Sequence, residues 1–155
     1  MNRQQIREFI LAGNALFTLK SLRTEKHYTF KVKRKEVFIA GAWTPMSPPT
    51  WTVQVLCGRD NSKDYRHAGT LRDGHFAYNA SNGTAAVKGF AWCWKHLDDK
   101  LGERFEFNHA GRCGRCGRLL TTPESVAAGI GPECQDRMAF EAAGGAQGLL
   151  DQLFV

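Results

Sequence analysis

Residues 105–134 read FEFNHAGRCGRCGRLLTTPESVAAGIGPEC, and three of the chain's five cysteines, Cys113, Cys116 and Cys134, fall inside this run. Two thiolates two residues apart can grip one ion from a tight turn, and Gly114 and Gly117 give that turn its backbone freedom. Cys134 lies in the first turn of a helix opened by Gly131-Pro132-Glu133, where free N–H groups favour a thiolate. Clustered thiols in a reducing compartment point to metal rather than to disulfides. A redox CxxC pair follows a strand in a βαβ unit, a setting this chain lacks.

The spacing therefore predicts one structural zinc ion. His109, four residues before Cys113, is the expected fourth ligand beside Cys113, Cys116 and Cys134. Cys93, His96 and a carboxylate such as Glu106 or Glu124 are the other candidates. Four protein ligands close a site, whereas a catalytic zinc keeps one position open for water. No HExxH, GxSxG or GxxxxGK[ST] motif is present, nor the H-x-E and P-C-x-x-C pair of a zinc deaminase. No catalytic residue and no small-molecule substrate are expected. A structural ion contributes on the order of 10 kcal/mol to a small module. A module of this length has little core of its own and needs that contribution.

Outward from this module, the sequence divides into a basic α+β domain over 1–100, a zinc-binding module over 105–145 and a C-terminal tail over 146–155. Ile6, Phe9 and Ile10 share one face of a helix over 3–12, with Gly13 as its C-cap. ALFTLKSL (15–22) and HYTFKVKR (27–34) alternate apolar and polar and read as strands around a turn at Arg23–Lys26. VFIAGAW (37–43) is compatible with a strand, and the prolines of TPMSPP demand a loop. WTVQVLCG (51–58), YRHAGTL (65–71) and HFAYN (75–79) are strands, the last two joined at Asp73-Gly74.

TAAVKGFAWCWKHL (84–97) is an amphipathic helix whose stripe is Val87, Phe90, Ala91, Trp94 and Leu97. Trp51, Phe90 and Trp94 are expected in the core, and Cys57 and Cys93 as small buried hydrophobes. Trp92 falls off the stripe and is expected at the surface or against the module. Residues 98–108 read as a connector. Thr122-Pro123 starts a short helix ending at Gly129, a second helix runs from 131 to about 143, and GLLDQLF at the C-terminus packs back as a short turn. The fold class is α+β, an antiparallel sheet with packed helices followed by a small zinc module.

The net charge is +6, but it is uneven. Residues 1–100 hold 16 Lys and Arg against 8 Asp and Glu, while residues 101–155 hold 5 against 7. A basic surface favours a polyanionic partner. Lys31, Lys33 and Lys35 are expected on one side of their strand, with Arg34 at its end, and Arg112, Arg115 and Arg118 ring the cysteine pair. These seven are the candidate contacts to nucleic acid or to another partner. The longest apolar runs are too short to span a bilayer, and the N-terminus lacks a signal-peptide apolar core, so a cytoplasmic location without membrane contact is expected.

The motif HxxxCGRCGRLLTxPESxxxGIGPEC resembles a small zinc-finger family of unassigned function found in tailed-phage and mobile-element genomes. GNALFTL, YTFKVKR, WTVQVLCGRDN and VKGFAWCW are similar to that group's longer members. The family often carries Trp before the histidine, where this chain has Asn108. The resemblance implies a phage origin and a treble-clef-like finger. The expected function is non-enzymatic binding of nucleic acid inside the host cell. The alternative is an interaction protein that binds and inhibits a host protein, such as a component of a nucleic-acid-targeting (CRISPR-like) defence system.

Overall fold

In the computed structural model, which describes residues 1–98 and 101–145, the chain opens with helix α1 (Arg3–Ile10). The Asn2 side chain accepts the Gln5 backbone N–H at 2.8 Å, and the Gln5 side chain accepts the Asn2 N–H at 2.9 Å. This reciprocal cap satisfies two donors that a helix start leaves unpaired. Ile6, Phe9 and Ile10 are buried, the face their spacing predicts.

Strands β1 (Asn14–Ser21) and β2 (His27–Arg34) follow, then a separate ribbon of β3 (Glu36–Ile39) and β4 (Ala42–Pro45). Next come β5 (Thr50–Leu56), β6 (Tyr65–Arg72), β7 (His75–Ala77) and a short 3-10 turn (Ala80–Asn82). Helix α2 (Ala85–Lys95) precedes α3 (Leu101–Arg104) and β8 (Phe105–His109), and α4 (Pro123–Ala128) and α5 (Pro132–Ala142) complete the described chain. Six strands form one antiparallel sheet in the order β7-β6-β5-β2-β1-β8, and β3 and β4 pair only with each other.

The register aligns Phe17 with Phe30 and Val32 with Val53. Strand side chains alternate between faces. The inner face therefore collects Ala15, Phe17, Leu19, Phe30, Val32, Val53 and Leu71, all buried. Helices α1 and α2 lie against it. Phe90 of α2 sits 5.2 Å from the Phe30 ring and 4.8 Å from Phe76, and Phe9 of α1 sits 6.4 Å from Phe17. Thr84 caps α2 by accepting the Val87 N–H at 3.4 Å. The buried stripe of α2 runs Val87, Phe90, Cys93 and Trp94; Cys93 is buried as expected, and Ala91 is half-buried. Trp94 donates its indole N–H to the Gly74 carbonyl at 3.0 Å. Trp51 is only half-buried, and its indole N–H reaches the Leu11 carbonyl at 3.0 Å.

Three expectations are corrected. Residues 98–108 are not merely a connector. Phe105, Phe107 and His109 alternate with Glu106 and Asn108, and β8 pairs with β1 through Leu19–Phe107 and Phe17–His109. This edge strand leads the chain directly from the sheet into the cysteine run. VFIAGAW is not one strand but two, folded back on each other at Ala40-Gly41. Cys57 is exposed, its thiol against the Asp64 carbonyl at 3.2 Å, because β5 ends one residue before it. The expected C-terminal turn GLLDQLF lies outside the described residues. Among those described, no helix is long and apolar enough to cross a membrane.

Candidate metal centre and the basic surface beside it

The sequence between β8 and α5 forms a knuckle and delivers it to a helix start. The Cys113 N–H donates to the Arg118 carbonyl at 2.8 Å and the Gly117 N–H to the Cys113 carbonyl at 2.9 Å, closing a turn with Gly117 at φ +78°. Arg112 bridges to Leu119 across that turn. Helix α4 starts as the sequence predicts: Thr122 accepts the Ser125 N–H, Pro123 takes the first helical position, and Gly129 ends the helix at φ +73°. Its left-handed backbone needs a residue without Cβ. Gly131 and Pro132 then open α5 and place Cys134 in its first turn.

This construction brings together three of the four expected ligands. The sulfurs of Cys113, Cys116 and Cys134 lie within 4.8 Å of one another. Sulfurs bound at ~2.3 Å to one tetrahedral ion sit ~3.8 Å apart, so the triad needs only a small contraction to hold a metal ion. The Gly131 N–H points at the Cys113 sulfur at 3.3 Å. Burial works to raise the Cys113 pKa, but N–H groups of Gly131, Cys116 and Arg115 and the Cys116 side chain outweigh it and bring the thiol to about 7. Cys134 moves the other way. Burial first, then its sharing of hydrogen bonds and charge with Cys116 and Cys113, push it up to about 12. The helix start that should favour its thiolate is thus overruled by burial and then by its neighbours. Such mutual opposition is what a cation among the three sulfurs relieves.

His109 is not in the cluster. The Gly111 N–H donates to its Nδ1 at 3.0 Å, so Nε2 carries the ring hydrogen and donates to the Val126 carbonyl at 2.6 Å. Its ring also rests 5.4 Å from that of Phe9. Pairing of β8 with β1 fixes that position, which spacing along the chain does not encode. Of the other candidates, Cys93 is buried beneath α2, where burial raises its pKa to about 12, and His96 stacks on Trp92 at 4.5 Å. Trp92 is half-buried between His96, Phe105 and the Arg104 guanidinium. The three cysteines border a groove of about 300 Å³ flanked by Leu119, Thr121, Thr122, Glu133 and Arg137. Sequence spacing gave no sign of this groove, because the approach of residues 119–122 to α5 creates it.

Phe9 docks the module on the sheet. A Cβ on Gly114 or on Gly129 would come within 2.7 Å of its ring. The Asn14 N–H donates to the Gly114 carbonyl at 2.7 Å, and the Ala110 N–H to Leu16 at 3.1 Å. Asn14 also pairs with Lys33 in the sheet, so the basic end of β2 abuts the knuckle.

The expected contact residues have different surroundings. Lys31 and Lys33 stand on the sheet face opposite α1 and α2. Lys31 is half-buried with its ammonium 4.2 Å from the Tyr65 ring, and burial followed by the Lys33 charge lowers its pKa. Lys33, Arg34 and Lys35 are exposed. Arg115 is committed to Glu141 of α5 by two hydrogen bonds of 3.1 and 2.6 Å. Arg112 reaches the Gly117 carbonyl at 3.2 Å, and Arg118 lies 3.9 Å from Glu133 with 82% of its side chain exposed.

Residues 104–139, from the end of α3 into α5, match a family of unknown function (DUF6011). No curated protein and no solved structure matches the chain.

Proposed function

We propose that the chain is a zinc-stabilised, non-catalytic nucleic-acid-binding protein of phage type, acting in the host cytoplasm. The thiol triad supports the first element. Three soft donors on a knuckle and a helix start suit zinc, which would cross-link the two and hold them against the sheet. Cys113, Cys116 and Cys134 would hold the ion, with the fourth ligand coming from a residue of the groove. Arg115, close enough to Cys134 and Cys113 to feel their charge, would offset the excess negative charge of three thiolates.

One observation carries the binding function: Asn14 links Lys33 to the knuckle. Through Asn14 the backbone at the end of β2, which carries Lys33–Lys35, comes close to that of the knuckle, which carries Arg112 and Arg118, although the two lie far apart in sequence. A surface of this kind neutralises phosphates and releases counterions. Binding should weaken steeply with salt, and replacing Lys33 and Lys35 by Gln should lower the salt slope by roughly 1 to 2. Absence of binding to any single- or double-stranded DNA or RNA at low salt would contradict this function.

A second reading, an interaction protein that inhibits a host component, is favoured by Leu119, which is 65% exposed beside the groove. Capture from host lysate with and without nuclease separates the two. A nucleic-acid binder loses its co-purifying proteins on nuclease treatment, and an inhibitor keeps them.

A further inference from the structure

The β3–β4 ribbon has no role in the core. It pairs with no strand of the main sheet and is tied at its base by the Lys35 N–H to Thr50 at 2.8 Å and the Met46 N–H to Lys35 at 2.9 Å. Ala40 and Gly41, at φ +52° and +81°, form the two-residue turn that suits a twisted hairpin. Phe38 and Trp43 are paired directly across it, with ring centroids 5.4 Å apart at 61°. They are 62% and 68% exposed, and Trp43 is the most exposed of the large apolar side chains described.

The other three tryptophans contrast with it. Trp51, Trp92 and Trp94 each carry an arginine guanidinium over the ring, from Arg34, Arg104 and Arg7. Among the described residues, Trp43 has Phe38 as its only ring contact and carries no cation over its ring. Leaving two aromatic rings in water opposes folding and is unexplained by stability. The charge at the ribbon's base narrows what could cover them. Lys33, Arg34 and Lys35 are consecutive and exposed, and Glu36 is the only acidic residue between 31 and 46. Apolar rings beside a run of cations fit a ligand that combines flat π-faces with phosphates, and an apolar protein groove would not use the cations.

We infer that the ribbon is a stacking arm for single-stranded nucleic acid, in which Trp43 and Phe38 take unpaired bases and Lys33 and Lys35 take the adjoining phosphates. The inference rests on the nucleic-acid function proposed above and adds the class of strand. Bases in a duplex are already stacked on one another, so the rings favour a strand whose bases are free. Stacking is tolerant of sequence, because every base offers a π-face.

The test uses the full chain, with labelled oligothymidylate and oligouridylate as probes and a blunt DNA duplex for comparison. The single strands should bind more tightly than the duplex. Phe38→Ala with Trp43→Ala should weaken single-strand binding on the order of 10- to 100-fold and leave duplex binding nearly unchanged. Trp43→Phe, which keeps a ring, should retain most of the affinity. Lys33→Gln with Lys35→Gln should weaken both probes alike. The two rings are largely exposed, so an unchanged melting temperature shows that the double variant has folded. Wild-type affinity in a folded double variant overturns the stacking arm and leaves the nucleic-acid function standing. No binding by the wild type at low salt overturns both. A dimer that becomes a monomer in the double variant assigns the ribbon to a second copy of the chain and overturns the arm.

Discussion

The sheet buries Phe9, Phe17, Phe30, Phe90 and Leu71 to 1% exposure or less, whereas in residues 110–145 the buried apolar side chains are Leu120, Ile130, Cys113 and Cys134. The first region removes several large aromatic surfaces from water, each contributing about 1.5–3 kcal/mol. The second has too few such side chains to stand alone. It is held instead by hydrogen bonds around a turn and by a borrowed aromatic ring, and its three thiols could hold a metal ion. Phe9 belongs to α1 but packs against Phe17 and Phe107 of the sheet and against Gly114 and Gly129 of the module. The two regions differ in what stabilises them yet share one contact, and variants can separate the two effects.

The largest expected effect follows from Cys113→Ser or from strong chelation. Either should remove a contribution on the order of 10 kcal/mol from the module. Hydrogen exchange should rise sharply over residues 110–143 while β1, β2 and β5 stay protected. Equal loss of protection in both regions would break the comparison. Phe9→Ala should cost about 3–5 kcal/mol and lower the melting temperature of the whole chain, because the ring is common to both regions. An effect confined to either region would show that the docking contact is not shared. Arg115→Ala releases Glu141 from a partly exposed ion pair, and such pairs are worth ~0.2–1 kcal/mol. A small drop in thermal stability and a modest loss of metal affinity are expected.

Much of this arrangement was legible in the chain. Alternation in HYTFKVKR fixed which side of β2 enters the core, the Ile6/Phe9/Ile10 spacing fixed the buried face of α1, and Pro123 and Gly129 bounded α4. β8 was equally visible as alternation in FEFNH, but five residues beside a charged stretch are a weak signal against the cysteine motif that follows. The ribbon's turn was harder to see, because Ala40 sits at a positive φ that alanine rarely adopts. His109 was misleading for a different reason. Its distance from Cys113 along the chain suits a ligand, but its direction is set by strand pairing with Phe17, which no local spacing reports. The basic residues divided similarly: they were plain in sequence, while the approach of the β2 end to the knuckle through Asn14 depended on the fold.

The most direct measurement is metal content by native mass spectrometry, on the wild type and on His109→Ala. One zinc ion per chain in both is the expected result if, as proposed, the three cysteines and a residue of the groove supply the protein ligands, because His109 is engaged with Val126 and Gly111. Protein purified with zinc that carries no ion, or a His109→Ala variant that loses it, would contradict the account.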